Sequence, residues 1–377
     1  MTRVQPDVEA FARIKVFGIG GSGSNTVDHM IRSKVKGVEF VCINTDAQDL
    51  HHSLSPKKIH IGKNLTKGLG AGMNPEIGKR AAEETKEEIQ EAIKGADMIF
   101  VTSGFGGGTG TGALPTIART AKENGILTVA VLTRPFSFEG AQRARIAEDG
   151  INELKDSVDA MIVIPNDRLM GVVQKDTSFI SAFAMCDEVL RQAVEGISDL
   201  ITLPGIINVD FADVKAVMKD AGSALMGIGT AQGEKRAEEA AKMAINSPLL
   251  DVSIDGAKGI LFAIAGGPDM TMSEIQEAAK IITDSVDEYA KIIFGAFHDE
   301  RLKKNEIKVT VVASGFPENG YEKNISSKTN IFQNLNQKEK TKEESKNGNE
   351  QKDNGKEKSK DWEAIPAFLR RSKKEEE

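Results

Sequence analysis

The chain has 377 residues, 40 % of them hydrophobic and only 5 % aromatic, with a net charge of −7. That length suggests two or three domains with aliphatic cores. The acidic balance argues against general nucleic-acid binding, which needs clustered Lys and Arg. Two cysteines far apart, Cys42 and Cys186, exclude a disulfide framework and the usual Cys/His zinc clusters. The N-terminal residues lack the apolar run of a signal peptide, and no stretch reaches the ~18 apolar residues of a membrane span. A soluble, cytoplasmic protein is expected.

Apolar runs at 13–17, 38–44, 58–61, 98–102, 127–132 and 160–164 predict strands. Amphipathic patterns at 25–33, 76–94, 114–124 and 140–156 predict the helices between them. This alternation predicts a doubly wound, mostly parallel α/β sheet covered on both faces. A long helix is predicted over 177–199, apolar on more than one stripe and therefore central. Beyond it, strands at 223–227, 259–265, 292–297 and 307–313 and helices at 211–219, 235–246 and 273–286 predict a second, smaller α+β domain. The expected division is an extension (1–12), a nucleotide-binding domain (13–176), a central helix (177–202), an α+β domain (203–316), a linker (317–361) and a tail (362–377). Residues 336–361 contain no apolar residue, so this linker is expected to be disordered. The tail carries an apolar island, Trp362 to Leu369, followed by Arg370 and Arg371.

Glycine carries the chemistry. The first strand runs into Gly18-Ile19-Gly20-Gly21-Ser22-Gly23-Ser24-Asn25, a fit to G-x-G-x-x-G before a helix. Such a loop lets backbone N–H groups approach a phosphate at a helix N-terminus. Asp46, ~20 residues later, stands where a dinucleotide enzyme keeps its ribose acid, so a nicotinamide oxidoreductase fits this part alone. A second loop follows the fourth strand, with six glycines between Gly104 and Gly112. It offers an anion-binding nest at Gly106, Gly107, Gly108, Thr109 and Gly110, and Thr109 and Thr111 add hydroxyls. A third, with Gly70, Ala71 and Gly72, again precedes a helix. Three such loops suit a triphosphate better than a pyrophosphate between two sugars. No G-x-x-x-x-G-K-[ST] is present, which excludes a P-loop.

Gly106 to Gly112 reads Gly-Gly-Gly-Thr-Gly-Thr-Gly, the tubulin signature. With Asn44-Thr45-Asp46-Ala47-Gln48 and Pro135-Phe136-Ser137-Phe138-Glu139-Gly140, the chain resembles the FtsZ family of bacterial tubulin-like cell-division GTPases over 13–316 and in its tail. Ser22, in a run usually all glycine, and Phe105, where the family often has Met, depart from the pattern. The resemblance implies that GTP or GDP binds, with Mg²⁺ on the phosphates and no protein ligand assignable to the metal. It implies that Asp187 reads guanine, that Phe183 stacks on the base, and that Asn25 and Asn166 also reach it. A carboxylate can accept the adjacent N1–H and N2–H of guanine but meets a lone pair at adenine N1. Glu139 and Arg143 would hold the ribose and phosphate side, and Asn44, Thr133 and Pro135 complete the implied site. Asn208, Asp210 and Asp213 resemble the segment that enters the nucleotide site of the next subunit, where the two acids would position the hydrolytic water. From spacing alone Asp210 also reads as a helix N-cap. The implied assembly is a head-to-tail homopolymer in the cytoplasm, beneath the membrane at the division site. Residues 362–371 would dock on membrane-tethering and regulatory division proteins, without membrane insertion. A non-catalytic tubulin-like filament protein is the third reading, disfavoured by the intact Asp210 and Asp213.

Overall fold

A computed structural model describes residues 12–170, 178–247, 250, 254 and 256–316. The linker from 317 and the tail, with Trp362, lie outside the described residues.

The chain opens with β1 (Ile14–Ile19), α1 (Gly20–Arg32), β2 (Val38–Asn44), α2 (Ala47–His52), β3 (Lys57–His60), α3 (Lys63–Thr66), α4 (Pro75–Glu84) and α5 (Lys86–Ile93). There follow β4 (Met98–Gly104), α6 (Thr109–Glu123), β5 (Leu127–Arg134), α7 (Ala141–Leu154), β6 (Ala160–Pro165), α8 (Asn166–Met170) and the long α9 (Phe179–Thr202). The remainder is β7 (Gly205–Ile207), α10 (Phe211–Met218), β8 (Gly222–Gln232), α11 (Arg236–Ile245), β9 (Gly259–Gly266), α12 (Met272–Thr283), β10 (Lys291–His298) and β11 (Glu306–Ser314).

The described strands form one sheet in the order β3-β2-β1-β4-β5-β6-β8-β11-β9-β10-β7. The first six are parallel, and chain order reverses between β1 and β4. Open α/β sheets bind ligands at such a switch point, outside the carboxyl ends of the strands. Both glycine loops leave the sheet there. The fold class is the one read from the sequence. The sheet continues between its halves because β6 pairs with β8, Ala160 opposite Gly222 and Ile162 opposite Ala224.

One face of the parallel sheet packs through Val16, Phe100 and Val129 against α1 and α9, burying Val27, Met30, Leu190, Val194 and Ile197. The other face packs through Phe17, Val101 and Leu132 against α4 to α7, burying Ala81, Ile89, Leu114 and Ile151. A third cluster joins β9 and β11 to α11 and α12 through Phe262, Val309, Ala240 and Ile275. The central helix is buried along its second half, 193–200, whereas Ser181, Phe183 and Ala184 in its first turns are exposed, so the burial its pattern predicts holds for only part of its length.

Four predicted elements differ. The helix predicted over 76–94 is two, broken at Thr85 (φ −111°, ψ 25°). Thr85 Oγ1 there accepts a hydrogen bond from Gly62 N at 3.2 Å, so a tertiary contact is served at the break. The helix predicted from Asn25 begins at Gly20, and the one predicted from Leu114 begins at Thr109. In both cases the glycines form the first turn, since close packing against neighbouring backbone outweighs their poor helix propensity. The strand predicted over 223–227 runs to Gln232, because its pairing with β11 extends from Ala224↔Ser314 to Gln232↔Glu306.

Candidate functional site

Two helix N-termini meet at the switch point. The N-cap of α1 is Ile19 and that of α6 is Gly108, and neither position supplies a side-chain capping bond. By contrast Asp46, Asn74 and Thr271 cap α2, α4 and α12 through their side chains. The first N–H groups of α1 and α6 thus lack side-chain caps and carry the positive ends of two helix dipoles. Gly20 enters α1 at φ +72°, and Gly106 turns the second loop at φ +102°, conformations costly for any other residue. The two loops are fastened together. Ser103 Oγ donates to Ile19 O at 2.8 Å, and Thr45 Oγ1 lies 2.6 Å from Thr109 Oγ1. Thr111 Oγ1 accepts from Gly106 N at 3.0 Å, so that hydroxyl holds the loop's shape.

These loops form one wall of a cavity of about 510 Å³. Gly20, Gly21, Ser22, Asn25, Gly107, Gly108, Thr109 and Gly110 line that wall; Thr133, Pro135, Glu139, Arg143, Asn166, Phe183 and Asp187 line the rest. Both unusual loop residues are accommodated. Ser22 sits in the first turn of α1 without a positive φ, so its side chain is sterically allowed. Its Oγ lies 2.6 Å from where a Cβ on Gly104 would stand, so a side chain at 104 would force Ser22 to shift. Phe105 is buried against the backbone at Gly150.

Across the cavity, α9 presents Phe183, Cys186, Asp187 and Leu190 on one face. Phe183 meets Phe136 edge to face at 5.3 Å, and Phe136 stacks on Phe138 at 4.9 Å. Asp187 Oδ1 accepts from Thr26 Oγ1 at 2.8 Å. Burial pushes the Asp187 carboxyl up from its ordinary value, while Thr26, His29 and Arg32 pull it down. Burial also pushes the Cys186 thiol up to about 12, so it stays protonated and unreactive. Asn166 lines the cavity, and its buried Oδ1 has no hydrogen-bond donor within the protein. Glu139 accepts from Phe136 N at 2.9 Å and Arg143 Nη1 at 2.8 Å, so the pair is fixed before any ligand arrives.

Several residues named from sequence stand outside this lining. Gly23 packs against the backbone of Thr102, and Ser24 is buried beside it in α1. Asn44 is buried and donates to Asp49 Oδ2 at 2.6 Å. Gly70, Ala71 and Gly72 form the third loop, in which Ala71 packs over Gly108; Gly106, in the second loop, lies against Arg143 and Pro135. Asp46 accepts from Gln48 N and Asp49 N as the cap of α2, so the ribose acid of a dinucleotide enzyme is committed elsewhere. Asn208, Asp210 and Asp213 are exposed and do not line the cavity. Asp210 occupies the N-cap position of α10 but makes no side-chain capping bond. Among the described residues no cluster of three or more His, Cys, Asp or Glu could hold a metal ion, and no helix is long and apolar enough to cross a membrane.

Sequence reasoning missed Cys186, Leu190 and Thr26. The first two follow Phe183 and Asp187 at helical spacing, a signal that was available. Thr26 contacts Asp187 across 161 residues, and no local pattern announces it.

Residues 13–174 match the Tubulin/FtsZ family, GTPase domain, and residues 222–317 match the FtsZ family, C-terminal domain. An empty FtsZ dimer from M. jannaschii superposes with a TM-score of 0.78 at 49 % identity, covering 81 % of this chain and 88 % of that one. Two CetZ structures from Haloferax volcanii share the fold. One is a GTPγS-bound CetZ2 protofilament, with TM-score 0.70 at 21 % identity over 86 % of this chain and 99 % of that one. The other is a GDP-bound CetZ1 monomer, with TM-score 0.69 at 23 % identity over 81 % and 95 %. A doubly wound sheet carrying these two loops and the matching GTPase domain defines a tubulin-type GTPase, which binds GTP and hydrolyses it to GDP. The chain belongs to the FtsZ family.

Proposed function

We propose that this GTPase assembles head to tail into filaments that scaffold the division ring, and that each nucleotide is hydrolysed between two subunits. One observation carries the reading. The carboxylates lining the cavity are Glu139 and Asp187, on the side away from the glycine loops, whereas Asp210 and Asp213 are exposed elsewhere. A water in line with a γ-phosphate needs an orienting group. Asp210 has no capping duty to explain it, and it lies beside Asn208 and the exposed Ile206. A subunit docked head to tail brings Asn208, Asp210 and Asp213 to its neighbour's phosphates. The exposed Leu69, Met73 and Phe138 are apolar surface that such docking covers. The interface is heterologous and need not close, which gives filaments.

Within a subunit, the N-termini of α1 and α6 bind the phosphates through Gly20, Gly21, Ser22, Gly107, Gly108, Thr109 and Gly110, and Gly23 seats the first turn of α1 on the sheet. Gly70, Ala71 and Gly72 close over that loop. Asp187 accepts the guanine N–H donors, Phe183 covers the base, and Asn25 and Asn166 add polar contacts. Glu139 and Arg143 hold the ribose side. The residues fit a magnesium ion carried on the nucleotide: the two helix ends without side-chain caps, α1 and α6, would hold the phosphates that bring it. Bound there, Mg²⁺ supplies charge neutralisation during phosphoryl transfer. The tail, 362–371, is read as the segment that docks on membrane-tethering and regulatory division proteins, placing the filament in the cytoplasm beneath the membrane.

The test is GTPase specific activity across a wide dilution series. Activity near zero at high dilution, rising above a threshold concentration, is expected. Constant specific activity rules out hydrolysis between subunits.

A further inference from the structure

We infer that Thr26 is a specificity-positioning residue for the nucleotide base: its hydroxyl donates to Asp187 from within α1 and holds that carboxylate as a charged acceptor at the cavity wall. The inference rests on the reading of Asp187 as the guanine acceptor.

Thr26 is fully buried, and its hydroxyl has one proton and two acceptors within reach. Asp187 Oδ1 lies at 2.8 Å and Ser22 O at 3.0 Å. A helical threonine commonly donates to the carbonyl four residues back, so Ser22 O is the ordinary local partner. An ionised carboxylate is the stronger acceptor and takes the proton while Asp187 is charged. When Asp187 is protonated, the hydroxyl returns to Ser22 O at little cost. Thr26 therefore favours only the ionised form.

That form is the one guanine requires. Protonated Asp187 turns one oxygen into a donor facing the N1–H and N2–H donors of the base, and one bond is lost. The other groups around Asp187 leave this task to Thr26. On α1, His29 and Arg32 act on it only through space. On α9, Cys186 is protonated, and Glu188 is bound to His29 and Arg191. From the segment after β5, Glu139 is neutralised by Arg143. The bond also ties base recognition on α9 to α1, whose N-terminus forms one phosphate wall.

The experiment measures GTP and ATP affinity of wild type, Thr26→Val, Thr26→Ala and Thr26→Ser from pH 5.5 to 8.5, with thermal melts to confirm folding. Thr26→Val keeps the shape and removes the proton donor. Its GTP affinity should match wild type at the alkaline end and be roughly tenfold weaker on the acid side, where an unsupported carboxylate takes up its proton sooner. ATP affinity should change little, and Thr26→Ser should restore the wild-type profile. Thr26→Ala should repeat the pH-dependent loss, so the result does not depend on one variant. Equal loss for GTP and ATP at every pH, or failure of Thr26→Ser to restore it, shows a packing role and overturns the inference. Asp187→Asn, measured alongside, tests the underlying reading. If that variant keeps the full preference for GTP over ATP, guanine is read elsewhere, whatever the Thr26 variants do.

Discussion

Arg301 Nη2 donates to Asp199 Oδ2 at 2.8 Å, fastening the loop after β10 to the last turns of α9. Arg301 also binds Asp299 and Glu195, and Lys308 lies 3.7 Å from Glu195. Asp199 is nearly inaccessible, and burial first, then neighbouring Glu195, pushes its carboxyl up to about 6 against the pull of Arg301. The folded protein therefore binds this proton more tightly than the unfolded chain. By linkage, the contribution of Asp199 to stability is fully present below the ordinary carboxylate range and is lost as pH rises toward 6. Its size is on the order of 2–3 kcal/mol.

Asp199→Asn should flatten the dependence of stability on pH between about 4 and 6. Urea midpoints of wild type and variant across that interval provide the measurement. Parallel curves would show that Asp199 titrates normally in the fold.

Asp187→Ala should weaken GTP binding by about 1.5–3 kcal/mol and narrow the preference for GTP over ATP, because the base edge loses a charged acceptor. Competitive titration of the two nucleotides reads both effects. An unchanged preference would move base recognition away from α9.

Asp213→Ala should bind GTP and assemble while hydrolysis falls roughly 100- to 10,000-fold, the range for a group that handles the attacking water. Sedimentation and phosphate release, measured together, separate assembly from turnover. Loss of nucleotide binding in this variant would instead make Asp213 part of the α10 fold.

Truncation before Trp362 should leave GTPase activity and filament formation intact and abolish capture by a tail-binding partner. Trp362 is the only tryptophan, so its emission reports on this segment alone. Solvent-exposed emission in the isolated protein, shifting blue on partner addition, is expected. Loss of GTPase activity on truncation would assign the tail to the folded body.

The alternation of strands and helices and the glycine loops at the strand ends were legible in the sequence because their signals are local. Glycine clusters at strand ends, apolar runs and helical spacing each span fewer than about twenty residues. The same locality explains the misplaced boundaries. Gly20 to Gly23 and Thr109 to Gly112 look like loop by propensity, yet they form helix first turns where backbone packs on backbone. Asp46 and Asp210 both read as acids with a choice of roles. Only the structure showed that Asp46 caps α2 while Asp210 stands at an N-cap position without capping. Composition and spacing thus determined the fold class and the positions of the glycine loops, and the family resemblance, carried by local motifs, pointed to Phe183 and Asp187 on α9. Tertiary packing decided the rest. It brought Thr26 to Asp187 across 161 residues and Arg301 to Asp199 across 102, and it joined β6 to β8. Such contacts depend on how distant segments align in three dimensions, and no neighbouring residue in the chain encodes that alignment.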